Sequence, residues 1–451
     1  MYKRTLFVFR QDLRTHDNTA LNLALTESHE VMVIFVYDDR AKRDFGEHDV
    51  RFGFIREMLE VAEKGLKSMG GKIHVYSGTP EVIIPDIVQK YDIDHVYANR
   101  TYGRGGILRD ENIVANLGTL GRTMTLCDDF LLVPIETVPV RKVFTPFFKI
   151  WQTHLKNNQI RPLVKGKILA LPEHPPIHEV MPHEYHPFFR YDFGVKRLRE
   201  FHFSEYINTR NFPWMDGSTR LSPFIRFGVF SIREVLQAVE ESQTLVSELA
   251  WREFWYHIAH HFPATFHEAF QEKKRNIHWE NAPHLCKKIE AAETGYPLID
   301  AAIRQLKTTN WMHNRLRMVV ASFITKNCLI DWQWGEKFFK KYLIDYDEAV
   351  NYGNWQWSAS VGADPKPLRI FNPLLQSEKF DEQALFIKKY IPELMEISAK
   401  DIHTLNLRGI YTAPIVDQKI SAKKAKEVYY ASYPEKEIDG AKTYSKIGKI
   451  S

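Results

Sequence analysis

Trp, Arg, Asn and Asp crowd the stretch between Trp311 and Asp381, which contains WMHNRLRM, DWQWGEKFF and LIDYDEAVNYGNWQWSASVGADPKPLRIFNP in turn. Eight of the chain's ten tryptophans lie between Trp251 and Trp357. A buried core needs few of them, because the ring is large and its indole N–H demands a partner. Tryptophan is also readily oxidised and offers a flat stacking face. Combined with arginine, asparagine and aspartate, such a cluster implies electron transfer, a planar cofactor or a stacked base.

Spacing sharpens this. Trp311, Asn314, Arg315 and Met318 recur at helical intervals, which predicts one shared face. Inward helix faces are normally apolar, so Asn and Arg there imply a polar ligand. Arg317 points elsewhere on that helix, where Asp345 or Asp347 would neutralise it. Glu248, Trp251, Arg252 and Trp255 repeat the interval, a pattern that also fits a Trp-rich core face with a solvated Glu–Arg pair. Asn351 carries donor and acceptor atoms and suits a ring nitrogen whose protonation changes. Trp355 and Trp357, two residues apart, point to different sides of a helix, and Gly353 and Gly362 relax the backbone around them. GSTRLSP, from Gly217 to Pro223, offers glycine, hydroxyls and a helix start to a phosphate, with Arg220 adding charge. An ordinary N-cap is the plainer reading of that motif.

The elements that must position these groups fall into three segments. Strand-like runs at Thr5–Phe9, Val31–Tyr37, Lys72–Tyr76, His95–Ala98 and Thr123–Cys127 alternate with helical patterns near Thr19–Leu25, Val50–Met69, Pro80–Tyr91 and Leu108–Leu117. This alternation predicts a doubly wound parallel α/β sheet over residues 1–128. Ligands of such sheets bind beyond the carboxyl ends of the strands, where Arg10, Asp12 and Arg14 stand. Residues 129–200 are proline-rich and predict a connector laid over the surface. Residues 201–451 are helical in pattern, clearest at Ser231–Glu240, Val246–His261, Tyr296–Thr308, Trp311–Asn327 and Gly335–Leu343. The Lys-rich stretch from Lys419 reads as a solvated helix face.

Composition bounds the remaining classes. A hydrophobic fraction of 44% with 26% charged residues suits a soluble globular protein. No apolar run is long enough for a membrane span, and MYKRTLFVFRQDLR reads as a first strand rather than a signal peptide. Three dispersed cysteines predict reduced thiols in the cytoplasm and no local metal motif. A net charge of +5 permits nucleic-acid binding.

Several of these strings together resemble the photolyase/cryptochrome flavoproteins, and most closely the class I photolyases that repair cyclobutane pyrimidine dimers. FRQDLRTHDN (9–18), VFTPFFKIW (143–151), SELAWREF, TGYPLIDAAIRQL, WMHNRLRM, NWQWSAS and RIFNP occur in the family's order and spacing. The resemblance implies an antenna-binding domain over 1–128, a connector over 129–200 and a helical FAD-binding domain over 201–451. It implies FAD held by Tyr206, Ser218, Thr219, Arg220, Leu221 and Ser222 at the diphosphate. Arg252, Asn314, Arg317, Asp345, Asp347 and Asn351 would contact the flavin. Glu248, Trp251, Asn314, Arg315, Met318 and Trp357 match the dimer pocket, and Arg210 and Arg369 match contacts to the DNA backbone. Trp355, Trp332 and Trp279 match a relay of electrons from flavin to surface.

The same resemblance implies subclass and activity. Asn351 stands where plant cryptochromes carry Asp and animal ones Cys. The (6-4) photolyases carry histidines at the positions of Asn314 and Met318, and DASH-type cryptochromes usually carry Tyr at Trp357. With the short tail, these favour light-driven splitting of pyrimidine dimers in DNA by an electron from photoexcited reduced FAD. A cryptochrome-type photoreceptor is the alternative. A redox flavoenzyme is disfavoured, because GxGxxG is absent. A second, antenna chromophore is implied at the first domain: folate, deazaflavin or FMN. Tyr102, Gly103 and Arg104 stand where folate-binding members carry a glutamate, which weakens folate. The expected state is a monomer without membrane attachment.

Overall fold

Apolar side chains in the first strands alternate between two faces, as the period of a β-strand requires. In the computed structural model, which describes residues 1–46, 49–155, 159–363, 368–407 and 409–432, both faces are buried. Leu6, Val8, Met32, Ile34, Val96 and Ala98 form one core with Ile84, Ile87, Val88, Ile113 and Leu117. Phe7, Phe9, Val31, Val33, Val75 and Tyr97 face the other way. The strands β1 (Tyr2–Phe9), β2 (Ser28–Asp38), β3 (Ile73–Gly78), β4 (His95–Asn99) and β5 (Thr123–Cys127) are all parallel, in the order β3-β2-β1-β4-β5. Helices Thr19–Glu27, Val50–Leu66, Pro80–Lys90 and Arg104–Thr119 supply the crossovers. This is the doubly wound sheet predicted from the sequence. A sixth strand, β6 (Ile168–Leu169), was not anticipated; it pairs with Val31 and Met32 of β2.

The proline-rich segment does more than cover the surface. Its helix Phe144–Thr153 buries Phe144, Phe147 and Trp151, and Ile177, Met181 and Phe189 follow it into the core. Trp151 is fully buried, and its indole N–H donates to Glu253 Oε2 at 2.6 Å. Glu253 also accepts from the backbone N–H groups of Leu132 and Val133. One buried carboxylate on the helix Gln243–His261 therefore ties down both ends of the segment's first half. Proline limits regular structure without preventing burial.

Beyond residue 200 the chain is helical. The Phe7 face of the sheet shares one continuous core with Phe224, Phe230, Phe254, Trp255 and Ile258. A second cluster holds Ile299, Ile303, Leu316, Val320, Trp332, Phe339 and Trp355. The predicted helix at Trp311–Asn327 begins at Asn314 instead, because His313 Nδ1 accepts from the N–H of Arg315 and caps it. Trp311 thus lies outside the helix, and the last five residues, Phe323–Asn327, wind as a π-helix. Among the described residues no helix is long and apolar enough to cross a membrane. Residues 433–451, on which the short-tail expectation partly rests, lie outside the described residues.

Arg10, Asp12 and Arg14 are largely spent on structure. Arg10 donates to Asp110 at 2.6 Å, and Asp12 accepts from the N–H of Arg10 and from Asn99. Arg14 pairs with Asp129, and Arg233 bridges Asp129 (2.7 Å) and Asp17 (2.8 Å). All four of these side chains are buried. Burial would push Asp129 up, but Arg14 and Arg233 hold it down at about 2. Replacing Asp129 by Asn should leave two buried guanidiniums short of charge. A loss of about 3–5 kcal/mol of unfolding free energy is expected, read by chemical denaturation. A variant as stable as the parent would show that the network is dispensable.

Candidate functional site

Three helices, Gln243–His261, Asn314–Ser322 and Glu348–Ser358, converge on a cavity of about 360 Å³. Its walls carry Arg210, Glu248, Trp251, Arg252, Asn314, Arg317, Met318, Asp345, Asp347, Asn351, Trp355 and Trp357, twelve residues that sequence reasoning had singled out. The cavity lies between the two apolar clusters: Trp255 belongs to one, Phe339 and Trp355 to the other. Trp355 and Trp357 diverge as predicted, Trp355 into the second cluster and Trp357 against the first, yet both border the same space.

Small residues make the convergence possible. A Cβ on Gly335 would sit 2.2 Å from the ring of Trp355, and one on Gly353 would sit 2.4 Å from the ring of Trp255. Gly353 therefore does not relax the backbone; it lies within a regular helix and admits an indole against it. Glycines inside two helical patterns were the available signal for this contact.

Charges around the cavity are matched. Arg210 pairs with Glu248 at 2.7 Å, and Arg317 pairs with Asp345 at 2.8 Å while donating to the carbonyl of Met312. Arg317 thus faces the cavity, against the helical-face reading but in keeping with the position the family resemblance implies. Arg315 turns away from it, donating to Asn211 and lying 4.6 Å from the ring centroid of Phe380. With Trp311 outside the helix, the face toward the cavity is Asn314, Arg317, Met318 and Ala321, and Arg315 falls to one side of it. Arg252 lies over Phe130 at 4.1 Å and donates to its carbonyl. Trp251 stacks on Phe144 with centroids 3.7 Å apart and planes 6° from parallel, so one face of its ring is already covered.

Asn351 is oriented from behind. Its Nδ2 donates to the carbonyl oxygen and Oε1 of Glu336, at 3.3 and 3.2 Å. Glu336 also accepts from the hydroxyl of Tyr346 at 2.8 Å, and burial pushes its carboxyl up. The amide oxygen of Asn351 is left as the atom available to a ligand. Sequence reasoning missed Glu336, which carries no motif of its own. Asp347 caps the Asn351-bearing helix by accepting from the N–H of Val350, and it accepts from Tyr256 as well. Tyr346 and Asp347 also border a second cavity of about 390 Å³, lined by Arg10, Tyr37, Arg109, Arg226, Lys340 and Glu348 among others. Arg226 spans the wall, donating to the carbonyl of Tyr346 at 2.7 Å.

Other predicted residues lie outside the first cavity. Tyr206 and Leu221 are buried, and the guanidinium of Arg210 lies 5.2 Å from the ring of Tyr206. Ser218 and Thr219 are half-buried, and Ser222 is exposed at the start of a five-residue helix. Arg220 has a left-handed backbone (φ 51°), lies over Trp311 and pairs with Asp216 at 3.2 Å. Trp332 is buried, and Trp279 is half-buried at the edge of the cluster that holds Trp355. Arg369 is exposed, and its carbonyl accepts from the buried Lys326.

Residues 5–167 match the family model described as DNA photolyase, and residues 245–447 match the FAD binding domain of DNA photolyase. The chain belongs to the photolyase/cryptochrome family. A deoxyribodipyrimidine photo-lyase of Synechococcus is 35% identical over 94% of this chain and 96% of its own length. That of Escherichia coli is 32% identical over 94% and 98%. The crystal structure of an archaeal photolyase from Sulfolobus tokodaii, with two FAD molecules, matches at a TM-score of 0.87 and 32% identity, over 95% of this chain and all of that one. A cryptochrome from Synechocystis matches at a TM-score of 0.84 and 27% identity, over 95% and 99%.

The first cavity suits the family's flavin. Arg252 Nη2, Trp355 Nε1 and Trp357 Nε1, all from residues that line this space, are buried N–H donors without an acceptor among the described residues. Buried donors call for acceptors, which an isoalloxazine and its ribityl chain carry in number. Gly335→Ala should cost this site. A helical Gly→Ala exchange normally gains about 1 kcal/mol, but the added methyl displaces Trp355, and overpacking costs about 1–3 kcal/mol. A lower melting temperature and weaker FAD binding are expected; unchanged FAD affinity would contradict the packing described.

Proposed function

We propose that this photolyase-family chain splits cyclobutane pyrimidine dimers in DNA under light, with FAD in the first cavity. The observation that carries this reading is the meeting of Glu248, Trp251, Met318 and Trp357 with Arg252, Arg317, Asp345, Asp347 and Asn351 around one space. Bound, reduced and excited by light, FAD supplies the electron that opens the cyclobutane ring and takes it back afterwards.

The protein's share is positioning. A dimer must leave the duplex to enter the cavity, and the lesion already weakens pairing, so extrusion costs roughly a few kcal/mol. Trp357 and the uncovered face of Trp251 offer stacking surfaces, each worth about 1–3 kcal/mol per base. Glu248 lies at the same mouth with about a third of its side chain exposed, suited to hydrogen-bond a pyrimidine edge once Arg210 turns to a phosphate. The amide oxygen of Asn351 suits an N–H of the reduced ring. Trp355, Trp332 and Trp279 run from buried to half-buried within one cluster, which supports a route for electrons to the surface. Ser218 to Ser222 would take the diphosphate, and Arg210, Arg315 and Arg369 would grip the DNA backbone.

The second cavity is proposed as the antenna site. Its aromatic rings and its bases Arg10, Arg51, Arg109, Arg226 and Lys340, set against the acids Asp38, Asp44, Asp347 and Glu348, with Gly103, Gly105 and Gly106 at one edge, suit a planar chromophore such as deazaflavin, FMN or a second FAD. The two FAD molecules of the Sulfolobus tokodaii photolyase favour a flavin. A domain division at 128 and 200, a monomeric state and a cytoplasmic location with free Cys127, Cys286 and Cys328 complete this reading.

Repair is tested by illuminating the reduced, FAD-loaded protein with an oligonucleotide that carries one dimer. Loss of the lesion is expected in light and not in darkness. Intact dimers after illumination would reject repair and favour a photoreceptor. Trp279→Phe should slow photoreduction of oxidised flavin yet spare repair by pre-reduced protein. Unchanged photoreduction would mean that electrons take another route.

A further inference from the structure

Trp214 is the exception among the ten tryptophans: 46% of its surface is exposed, in a loop outside every motif assigned above. A single exposed ring is ordinary on a protein surface, but what surrounds this one is not. Its surroundings point to the kind of partner. The loop begins at Arg210, which lines the first cavity and pairs there with Glu248. Asn211 accepts from Arg315 Nη2 at 2.6 Å. Phe212 then rests on Phe380 with ring centroids 6.2 Å apart, and Trp214 lies 6.3 Å from Phe212. The ring is therefore packed edge-on against Phe212, itself edge-on to Phe380, and carried on the loop that leaves the cavity wall at Arg210. Ile207, also exposed, lies one short helix before it.

Two arginines stand beside this loop: Arg210, paired with Glu248, and Arg315. Among the described residues Arg315 has no carboxylate partner, and its Nε is buried without an acceptor. Arg210 lies near enough to lower the affinity of Arg315 for its proton, second to burial. Two cations side by side, with an exposed ring next to them, form the pattern that single-stranded nucleic acid meets on proteins: phosphates on the arginines and a base on the ring. A dimer swung into the cavity leaves its neighbouring bases unstacked just outside the mouth.

Building on the repair reading, we propose that Trp214 is a positioning residue that stacks on a base flanking the extruded dimer, while Arg315 holds the adjoining phosphate. The ring takes up stacking that the neighbour loses when the dimer leaves the helix. It acts on the length of DNA around the lesion and not on the lesion itself.

The test compares two substrates, an oligonucleotide bearing one dimer and the isolated dinucleotide dimer, with FAD-loaded protein. Trp214→Ala should weaken binding of the oligonucleotide about tenfold, in line with the loss of one stacked base. The concentration dependence of repair of the isolated dimer should shift far less, because it has no flanking base. Trp214→Phe keeps an aromatic face and should recover most of the affinity, which separates stacking from a folding defect. Equal affinity of Trp214→Ala and the parent for the oligonucleotide would overturn the proposal. So would an equal loss for both substrates. A parent chain that splits neither substrate in light overturns the repair reading and this inference with it.

Discussion

Arg14, Asp17, Asp129 and Arg233 form the contact on which the arrangement of both cavities depends. Asp17 ends the loop after β1, Asp129 follows β5, and Arg233 belongs to the helix Ile232–Val239. Arg233 Nη2 also donates to the backbone carbonyl of Asp17, and Arg14 donates to the carbonyls of Asp17 and Gly228. Four charges out of water are tolerable only when each is matched and hydrogen-bonded. Here two cations meet two anions, and the spare donors find carbonyls except Arg14 Nε, which has no acceptor among the described residues. Such a network gains little over an apolar core in free energy, but it admits few alternative geometries. It joins the carboxyl end of the sheet to the helical part of the chain. Close approach adds to the constraint: a Cβ on Gly228 would lie 2.2 Å from the carbonyl oxygen of Gln11.

Once the sheet and helices are locked, the wall between the cavities follows. It is built from Tyr346, Asp347 and Tyr256, with Arg226 reaching across. Burial raises the phenols of Tyr256 and Tyr346 well above their ordinary range, so both remain neutral hydrogen-bond donors to Asp347 and Glu336 respectively. Those two carboxylates in turn fix the start of the Glu348–Ser358 helix and the amide of Asn351. One hydrogen-bonded layer thus serves both spaces.

Much of this was legible in the sequence, for a reason visible in particular residues. Leu6–Phe9 is apolar without a break, as a strand covered on both faces requires, and such runs separated by helical patterns made the parallel sheet readable. Glu248, Arg252, Asn314 and Asn351 are polar residues on otherwise inward helix faces, and that conflict marks a site. The sequence misled where local pattern was overridden at a distance. His313 capped a helix three residues later than expected, so Trp311 leaves its face, and the inward residues are Asn314, Arg317, Met318 and Ala321, with Arg315 to one side. Trp151 was missed as a core residue because prolines on either side masked its segment. Glu336 was invisible, since a lone Glu in an amphipathic helix reads as solvated until Tyr346 and Asn351 are seen to converge on it. Arg10, Asp12 and Arg14 stand at the ligand-binding end of the sheet, but the helices packed above convert most of that edge into an interface.

The two cavities differ in what they demand of the protein. The first must admit a large, charged polymer at its mouth while its floor stays dry, and the structure meets this with matched ion pairs at the rim and indoles below. Arg210–Glu248 is half-open to water, where an ion pair contributes little and either partner is easily exchanged for a ligand group. Arg317–Asp345 is deeper on the carboxylate side and less exchangeable. The order of exposure therefore sorts the charges: those at the rim are free to trade partners with DNA, and those below hold position. The second cavity lies between sheet and helices, where the acids Asp38, Asp44 and Glu348 and the bases Arg10, Arg51, Arg109 and Lys340 surround a space that shares Tyr346 and Asp347 with the first.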